Sequence, residues 1–166
     1  MGRDDEFSEY VASRWTRLVR SAVLLGCSPA EAEDITQTAL TKCLVHWSKV
    51  QRADDRDAYV HRVLVNTFTS ERRRRWTGER PVQVLPDDGT PDGTDAVDTA
   101  DAMQRSLARL SADQRAVVVL RFYAHLSEQH TAAALDVPVG TVKSRLSRAL
   151  KVLAEDPHLS ELRGTS

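Results

Sequence analysis

The chain has 166 residues, with 23 Lys and Arg against 24 Asp and Glu, 41% hydrophobic residues, 7 Gly and 6 Pro. That composition folds into one or two small domains and excludes a large catalytic barrel. No run nears the roughly 18 apolar residues of a membrane helix, and Asp4, Asp5, Glu6 and Glu9 stand where a secretory leader would be basic and then apolar, so a cytoplasmic protein is expected.

In the first stretch Phe7, Val11, Leu18, Ala22 and Leu25 recur at helical spacing, with Tyr10, Trp15 and Val19 beside them, and Gly26 ends the helix. Ser28, Pro29 and Glu31 then supply an N-cap, a proline at the first helical position and an acid three residues after the cap. The second helix is expected to reach about Trp47. Ala32, Ile35, Ala39, Leu40, Cys43, Leu44 and Trp47 share its apolar half, and Asp34, Gln37, Thr38, Thr41 and Val45 share an exposed, weakly charged one. Cys27 and Cys43 lack zinc-type spacing and are read as buried thiols.

Residues 48–57 read as a polar loop, and a third helix starts near Ala58. Val60, Val63, Leu64, Thr67 and Phe68 form its buried stripe, while Tyr59, Arg62, Asn66, Thr69 and Arg73 fall on a second face. An aromatic ring, guanidiniums and an amide in line suit single-stranded nucleic acid, which stacks its bases and needs positive charge along its backbone. From the residues alone, the same stripe also fits an ordinary solvated face. The run Arg72 to Arg75 points in four directions, so it cannot all serve one groove, and part of it answers the negative helix end.

Charge is segregated along the chain. Residues 1–85 carry 14 basic and 12 acidic groups, residues 86–101 carry none and six, and residues 102–166 carry nine and six. With Pro86, Gly89, Pro91 and Gly93 in the acidic piece and nothing large to bury, residues 77–101 read as a flexible linker. About 25 such residues reach at most about 80 Å extended and about 25 to 30 Å as a coil, so modules at 5–76 and 102–156 could work apart, with 157–166 as a tail.

In the second module Leu107 and Leu110 precede a capping box at Ser111 and Gln114 and an apolar run over 117–122. Ser127 opens a short helix ending at Leu135 to Pro138, and a last helix follows from about Val139 to Ala154. Two short helices joined by a tight turn, the second one basic, describe a helix-turn-helix. Ala132 is small where the helices cross, Asp136 tolerates a left-handed turn, and Val142 with Leu146 plugs the crossing. Val142, Leu146, Ala149, Leu150 and Leu153 form one arc of the last helix. Ser144, Ser147, Arg148 and Lys151 lie opposite, flanked by Lys143 and Arg145, with no acid within the helix. This face suits duplex DNA better than it suits a merely basic surface helix.

AEDITQTAL at 32–40, AYVHRVLVNTFTSERRRR at 58–75, the acidic linker and VPVGTVKSRLSRAL at 137–150 resemble the extracytoplasmic-function sigma factors of bacterial RNA polymerase, notably the short actinobacterial type without extra domains. The resemblance implies an all-α fold of two small helical domains, sigma region 2 and the region 4 helix-turn-helix, on a flexible tether. It implies core RNA polymerase and promoter DNA as partners, with an anti-sigma protein as a further candidate, no membrane and no cofactor or metal. Tyr59, Arg62, Asn66, Thr69 and Arg73 would then meet the melted minus-10 element, with the loop at 48–57 choosing the captured base. Asp34, Gln37, Thr38 and Thr41 would dock on the polymerase clamp helices. Thr141, Lys143, Ser144, Ser147, Arg148 and Lys151 would read the minus-35 duplex, while the outer helices of the module meet the polymerase flap. The linker aspartates would imitate nucleic acid near the RNA exit path or lie on the arginine run.

The sequence departs from the family at His130, Thr131, Asp136 and Pro138, and proline cannot cap the recognition helix through a hydroxyl. His46, His61, His125, His130 and His158 are scattered and read as surface or core residues. No catalytic triad order, phosphate-cradling loop or metal motif is present, so no enzyme is expected. The rival readings are a stand-alone helix-turn-helix regulator binding duplex DNA without polymerase, and an interaction module that binds polymerase without reading DNA.

Overall fold

The computed structural model describes residues 2–78 and 95–157, with side chains in the second stretch from 101 onward. The acidic residues 79–94 and the tail from 158 lie outside the described residues, so the expectations for Asp87, Asp88, Asp92 and His158 fall there. Among the described residues every regular element is a helix.

α1 (Arg3–Leu25) ends at Gly26, whose φ of 121° few side chains adopt; a Cβ there would also sit 3.1 Å from the Arg72 guanidinium. α2 (Pro29–Val45) begins as its cap pattern dictates, with Ser28 Oγ accepting from the Glu31 amide at 3.3 Å. His46, at φ −109° and ψ 28°, bends the chain out of α2 into α3 (Trp47–Arg52), and with the next helix starting at Arg56 only 53–55 of the expected loop at 48–57 is non-helical. Two fully buried side chains explain this turn of helix, Trp47 and Val50. Trp47 meets Phe7 edge-on at 5.4 Å and Tyr10 at 5.6 Å, while Leu18, Ala39, Cys43, Val60 and Leu64 close the core around it. Burial pushes both cysteine thiols up to about 11, although the Arg72 charge opposes this at Cys27, so neither ionises near neutrality.

α4 (Arg56–Trp76) is capped by Asp55, whose carboxylate accepts from the Ala58 amide at 3.0 Å. Asp57 in its first turn accepts from Tyr10 Oη at 2.8 Å and Arg14 Nε at 3.0 Å, tying α1 to α4. Burial works against the charge on Asp57, but these donors outweigh it and hold the carboxyl below its usual range.

α5 (Asp95–Ala108) starts inside the stretch expected as linker, so its last seven positions, 95–101, are helical. The capping box at Ser111 and Gln114 opens α6 (Ala112–Val118), which widens into a π-helical turn over Val119–Tyr123. α7 (Glu128–Leu135) is capped by Ser127 and closed by Asp136 in the left-handed conformation, φ 54° and ψ 49°, as expected. α8 (Val139–Ala154) follows. Pro138 occupies its N-cap without a side-chain cap, and its carbonyl receives the Thr141 and Val142 amides at 3.0 and 3.3 Å. Ala132 and Val142 pack with Val117 at the crossing. Leu150, on the outer edge of the expected apolar arc, is 44% exposed.

The two modules are not held apart. A single buried cluster joins Leu25, Ala58 and Val65 of the first to Leu107, Val118, Leu120, Leu126, Ala134 and their neighbours in the second. α4 lies against α7, and α1 touches the π turn. Three polar contacts edge the seam: Arg17 Nη2 donates to the Tyr123 carbonyl at 3.1 Å, Arg115 Nε to the Leu24 carbonyl at 2.5 Å, and His130 Nε2 lies 3.1 Å from Asp54 Oδ2. The physical reason is a second apolar strip on α4. Ala58 and Val65 lie off its inward stripe and would face water if the modules separated.

Candidate nucleic-acid interface

α4 has to satisfy three environments at once. Val60, Leu64 and Thr67 point into the first core and Ala58 and Val65 into the seam, which leaves the third face outward. On it Arg62, Asn66, Thr69 and Arg73 are exposed and Tyr59 is half-buried, so all five expected residues share one accessible side. Thr69 also lines the crevice between the modules and marks one edge of that side. The arginine run divides as its four directions require. Arg72 donates to the Gly26 carbonyl at 2.7 Å and covers the Phe68 ring at 4.9 Å, Arg74 pairs with Glu71, and Arg75 with Glu31. Arg62 and Arg73 have no ion pair among the described residues, so the stripe keeps its charge for a ligand. Trp76, at the end of the run, is 92% exposed.

Tyr59, Val63 and Asn66 form one wall of a cleft of about 310 Å³, and Lys42 and His46 from the end of α2 form the other. An aromatic ring, an apolar side chain, an amide and an ammonium around one opening suit a single flat heterocycle carrying hydrogen-bonding edges. Reasoning from sequence missed Lys42 and His46. A signal existed, since Lys42 is a cation with no acid three or four residues away on its own helix.

On α2, Asp34, Gln37, Thr38 and Thr41 are all exposed on the side away from the core, next to Val45 at 66% exposure. The Thr41 hydroxyl turns back to donate to the Gln37 carbonyl at 2.9 Å, which leaves Asp34 and Gln37 as the reaching groups.

On α8, Lys143, Ser144, Ser147, Arg148 and Lys151 are exposed and Thr141 is half-buried. The flanking cations are engaged within the module, Lys143 with Glu128 and Arg145 with Asp113, each at 3.7 Å. The Ser144 hydroxyl donates to the Thr141 carbonyl. Arg148 and Lys151 have no ion pair among the described residues and stand ready for phosphate or base.

His130 is partly exposed, as the surface reading expects, but folding gives it carboxylate partners. Folding brings it 3.1 Å from Asp54 and 3.8 Å from Asp55, across the seam. His61 is a core residue as expected. Its Nδ1 donates to the Asp57 carbonyl at 2.8 Å, its Nε2 faces Ser21 Oγ at 3.3 Å, and burial lowers its pKa. No group of three potential metal ligands occurs among the described residues, and no helix there is long and apolar enough to cross a membrane.

Residues 11–77 match sigma-70 region 2 and residues 100–153 match sigma-70 region 4, the two modules in order. Over 156 residues the chain is 40% identical to the RNA polymerase sigma-E factor of Streptomyces coelicolor, covering 94% of this chain and 88% of that protein. The chain belongs to the sigma-70 family. Its place among the extracytoplasmic-function sigma factors is supported by 32% identity over 152 residues to the ECF RNA polymerase sigma factor SigL of Mycobacterium tuberculosis, covering 89% and 84% of the two chains. Among solved structures, this sigma factor superposes on RpoE of Bartonella quintana, in complex with the anti-sigma factor NepR, with a TM-score of 0.73, 26% identity and 90% and 95% coverage. CnrH, in complex with the cytosolic domain of CnrY, shares the fold at a TM-score of 0.64, 20% identity and 98% and 91% coverage. Sigma factors are initiation factors that act with core RNA polymerase, not enzymes, which accords with a surface built for binding.

Proposed function

We propose that this sigma factor docks on core RNA polymerase through Asp34, Gln37, Thr38 and Thr41, captures melted minus-10 DNA on the α4 stripe, and reads minus-35 duplex with α8. The observation that carries the reading is the cleft between α2 and α4, with Tyr59 and Asn66 in its wall and Arg62 and Arg73 free beside it. A flipped base stacks and hydrogen-bonds there while the arginines hold its backbone. Exposed Val45 supports docking by α2, and exposed Phe122 in the π turn offers the second module an apolar contact for the flap. The site of action is the cytoplasm, with the polymerase. An anti-sigma protein is a further partner, by analogy with the RpoE complex.

Promoter binding also requires the modules to part. Elements centred about 25 base pairs apart lie about 85 Å apart at about 3.4 Å per pair, whereas a compact chain of this length has a radius of gyration of only about 15 Å. The shared core therefore belongs to the free chain, and docking on polymerase opens it.

The test adds purified chain to core polymerase and scores selective transcription from genomic fragments. The sigma reading expects selective starts that need both components. Specific DNA binding by the chain alone, with no directed initiation, favours the stand-alone regulator instead. Arg148→Ala should cost about 1–3 kcal/mol of minus-35 recognition, and Asn66→Ala should slow promoter opening without weakening polymerase binding.

A further inference from the structure

Lys42 sits where the pocket proposed for the captured base meets the core. Its Nζ lies 3.3 Å from Thr67 Oγ1. The Thr67 hydroxyl already donates to the Val63 carbonyl at 2.8 Å, so toward Lys42 it can only accept. Thr67 is 2% exposed and cannot swing away. One ammonium N–H is thereby fixed to the protein, two remain for a ligand, and Lys42 has no ion pair among the described residues to divert them. The positive charge is held at the lip of a cleft that His46, Tyr59 and Asn66 also line, and the Asn66 amide both donates and accepts.

We infer that Lys42, from the wall of the cleft, adds to the choice of captured base that the family resemblance gives to the loop at 48–57, favouring a base that turns a carbonyl oxygen toward it, thymine, guanine or cytosine, over adenine. The inference rests on the α2/α4 cleft being the base pocket. A carbonyl oxygen has two lone pairs and can accept from one Lys42 N–H and from the Asn66 amide together. Adenine has no carbonyl; its Watson–Crick edge offers one ring nitrogen and an amino donor, and the amino group repels an ammonium. A lysine on a pocket wall thus discriminates by what it cannot accept. The rival role for the same side chain is a phosphate contact, which strengthens binding of every sequence alike.

The test uses the chain assembled with core polymerase and a set of partly single-stranded promoter forks that carry each of the four bases at every minus-10 position in turn. With the parent chain, one position should prefer an oxo base over adenine by about tenfold, the scale of a charged hydrogen bond. Lys42→Met, which keeps the stem and removes the donors, should bring that preference to within about twofold, while Lys42→Arg keeps most of it. A uniform loss across all four bases in Lys42→Met overturns the inference in favour of a phosphate contact, and an unchanged preference overturns it outright. Asn66→Ala separates the two levels. If it too changes nothing at any position, the base-pocket reading itself fails; if it weakens capture while Lys42→Met does not, only the role of Lys42 fails.

Discussion

Of the buried clusters among the described residues, the one inside the first module and the one between the modules are built differently. The seam inside the first module centres on Trp47, fully buried and flanked by Phe7 and Tyr10, with Leu18, Leu64 and Val60 filling the rest. The seam between the modules is lined by smaller side chains, Ala58, Ala116, Ala124 and Ala134 among Val65 and several leucines. Its rim is polar: two arginines reach across to backbone carbonyls and a histidine reaches to an aspartate. Beside it runs a crevice of about 440 Å³ lined by Leu25, Phe68, Leu110 and Leu135. Large interlocking aromatics resist separation. Small side chains, unfilled space and contacts that water can replace allow it, so the first seam is permanent and the second can open.

The sharpest way to break the comparison is at the permanent seam. Trp47→Ala should cost about 3–5 kcal/mol, enough to unfold the first module in a domain of ordinary stability. Loss of the thermal transition assigned to that module, with the second module's helices retained by circular dichroism, is the expected result. Val65→Asp strikes the other seam by placing a carboxylate where Leu120 and its neighbours exclude water. Here the modules should separate while each keeps its helices. Small-angle scattering should show growth from the about 15 Å radius of gyration of a compact chain this long. Unfolding of α4 instead would mean that the two seams are one cooperative unit.

The two seams also differ in how much of them the sequence shows. The helix starts at Ser28 and Ser111 and the left-handed Asp136 were legible because caps and turns are local. α3 was not, since only Trp47 and Val50 of its six residues are buried and the bend at His46 leaves no mark in the pattern. Val65 reads as an apolar residue off the main stripe, but its cover comes from the second module, and no local rule pairs segments that distant. The stripe on α4 was visible as a line of residues, yet which of the arginines stayed free depended on the Gly26 carbonyl, Glu71 and Glu31 claiming the other three. The cleft needed Lys42 from a different helix, which folding alone supplies.

A smaller effect comes from protons. Burial lowers the His61 pKa in the permanent seam, so the folded chain refuses a proton that the unfolded chain takes near the ordinary value of about 6.5. Stability from this group is full above that value and falls as pH drops below it, with a slope of at most about 1.4 kcal/mol per pH unit. Denaturant melts at pH 7.5 and 5.5, on the order of one unit either side of that value, should show the loss, and His61→Gln should flatten it.

The smallest effect belongs to the seam between the modules. Hydrogen bonding from His130, and then its charge, hold the Asp54 carboxyl below its usual range, although Asp54 itself is fully exposed. Water screens such a pair, so His130→Ala should leave the melting of both modules unchanged and only raise the separated fraction slightly. The cleaner readout is Asp54 itself, followed by carbon NMR: its titration should move up toward the free carboxylate value in His130→Ala, and equally in Val65→Asp. The second variant keeps the histidine and removes only the packing, so a matching shift there shows that the contact exists through closure of the seam. If Asp54 still titrates low in Val65→Asp, the modules have stayed together, and the division into one permanent and one separable seam is wrong.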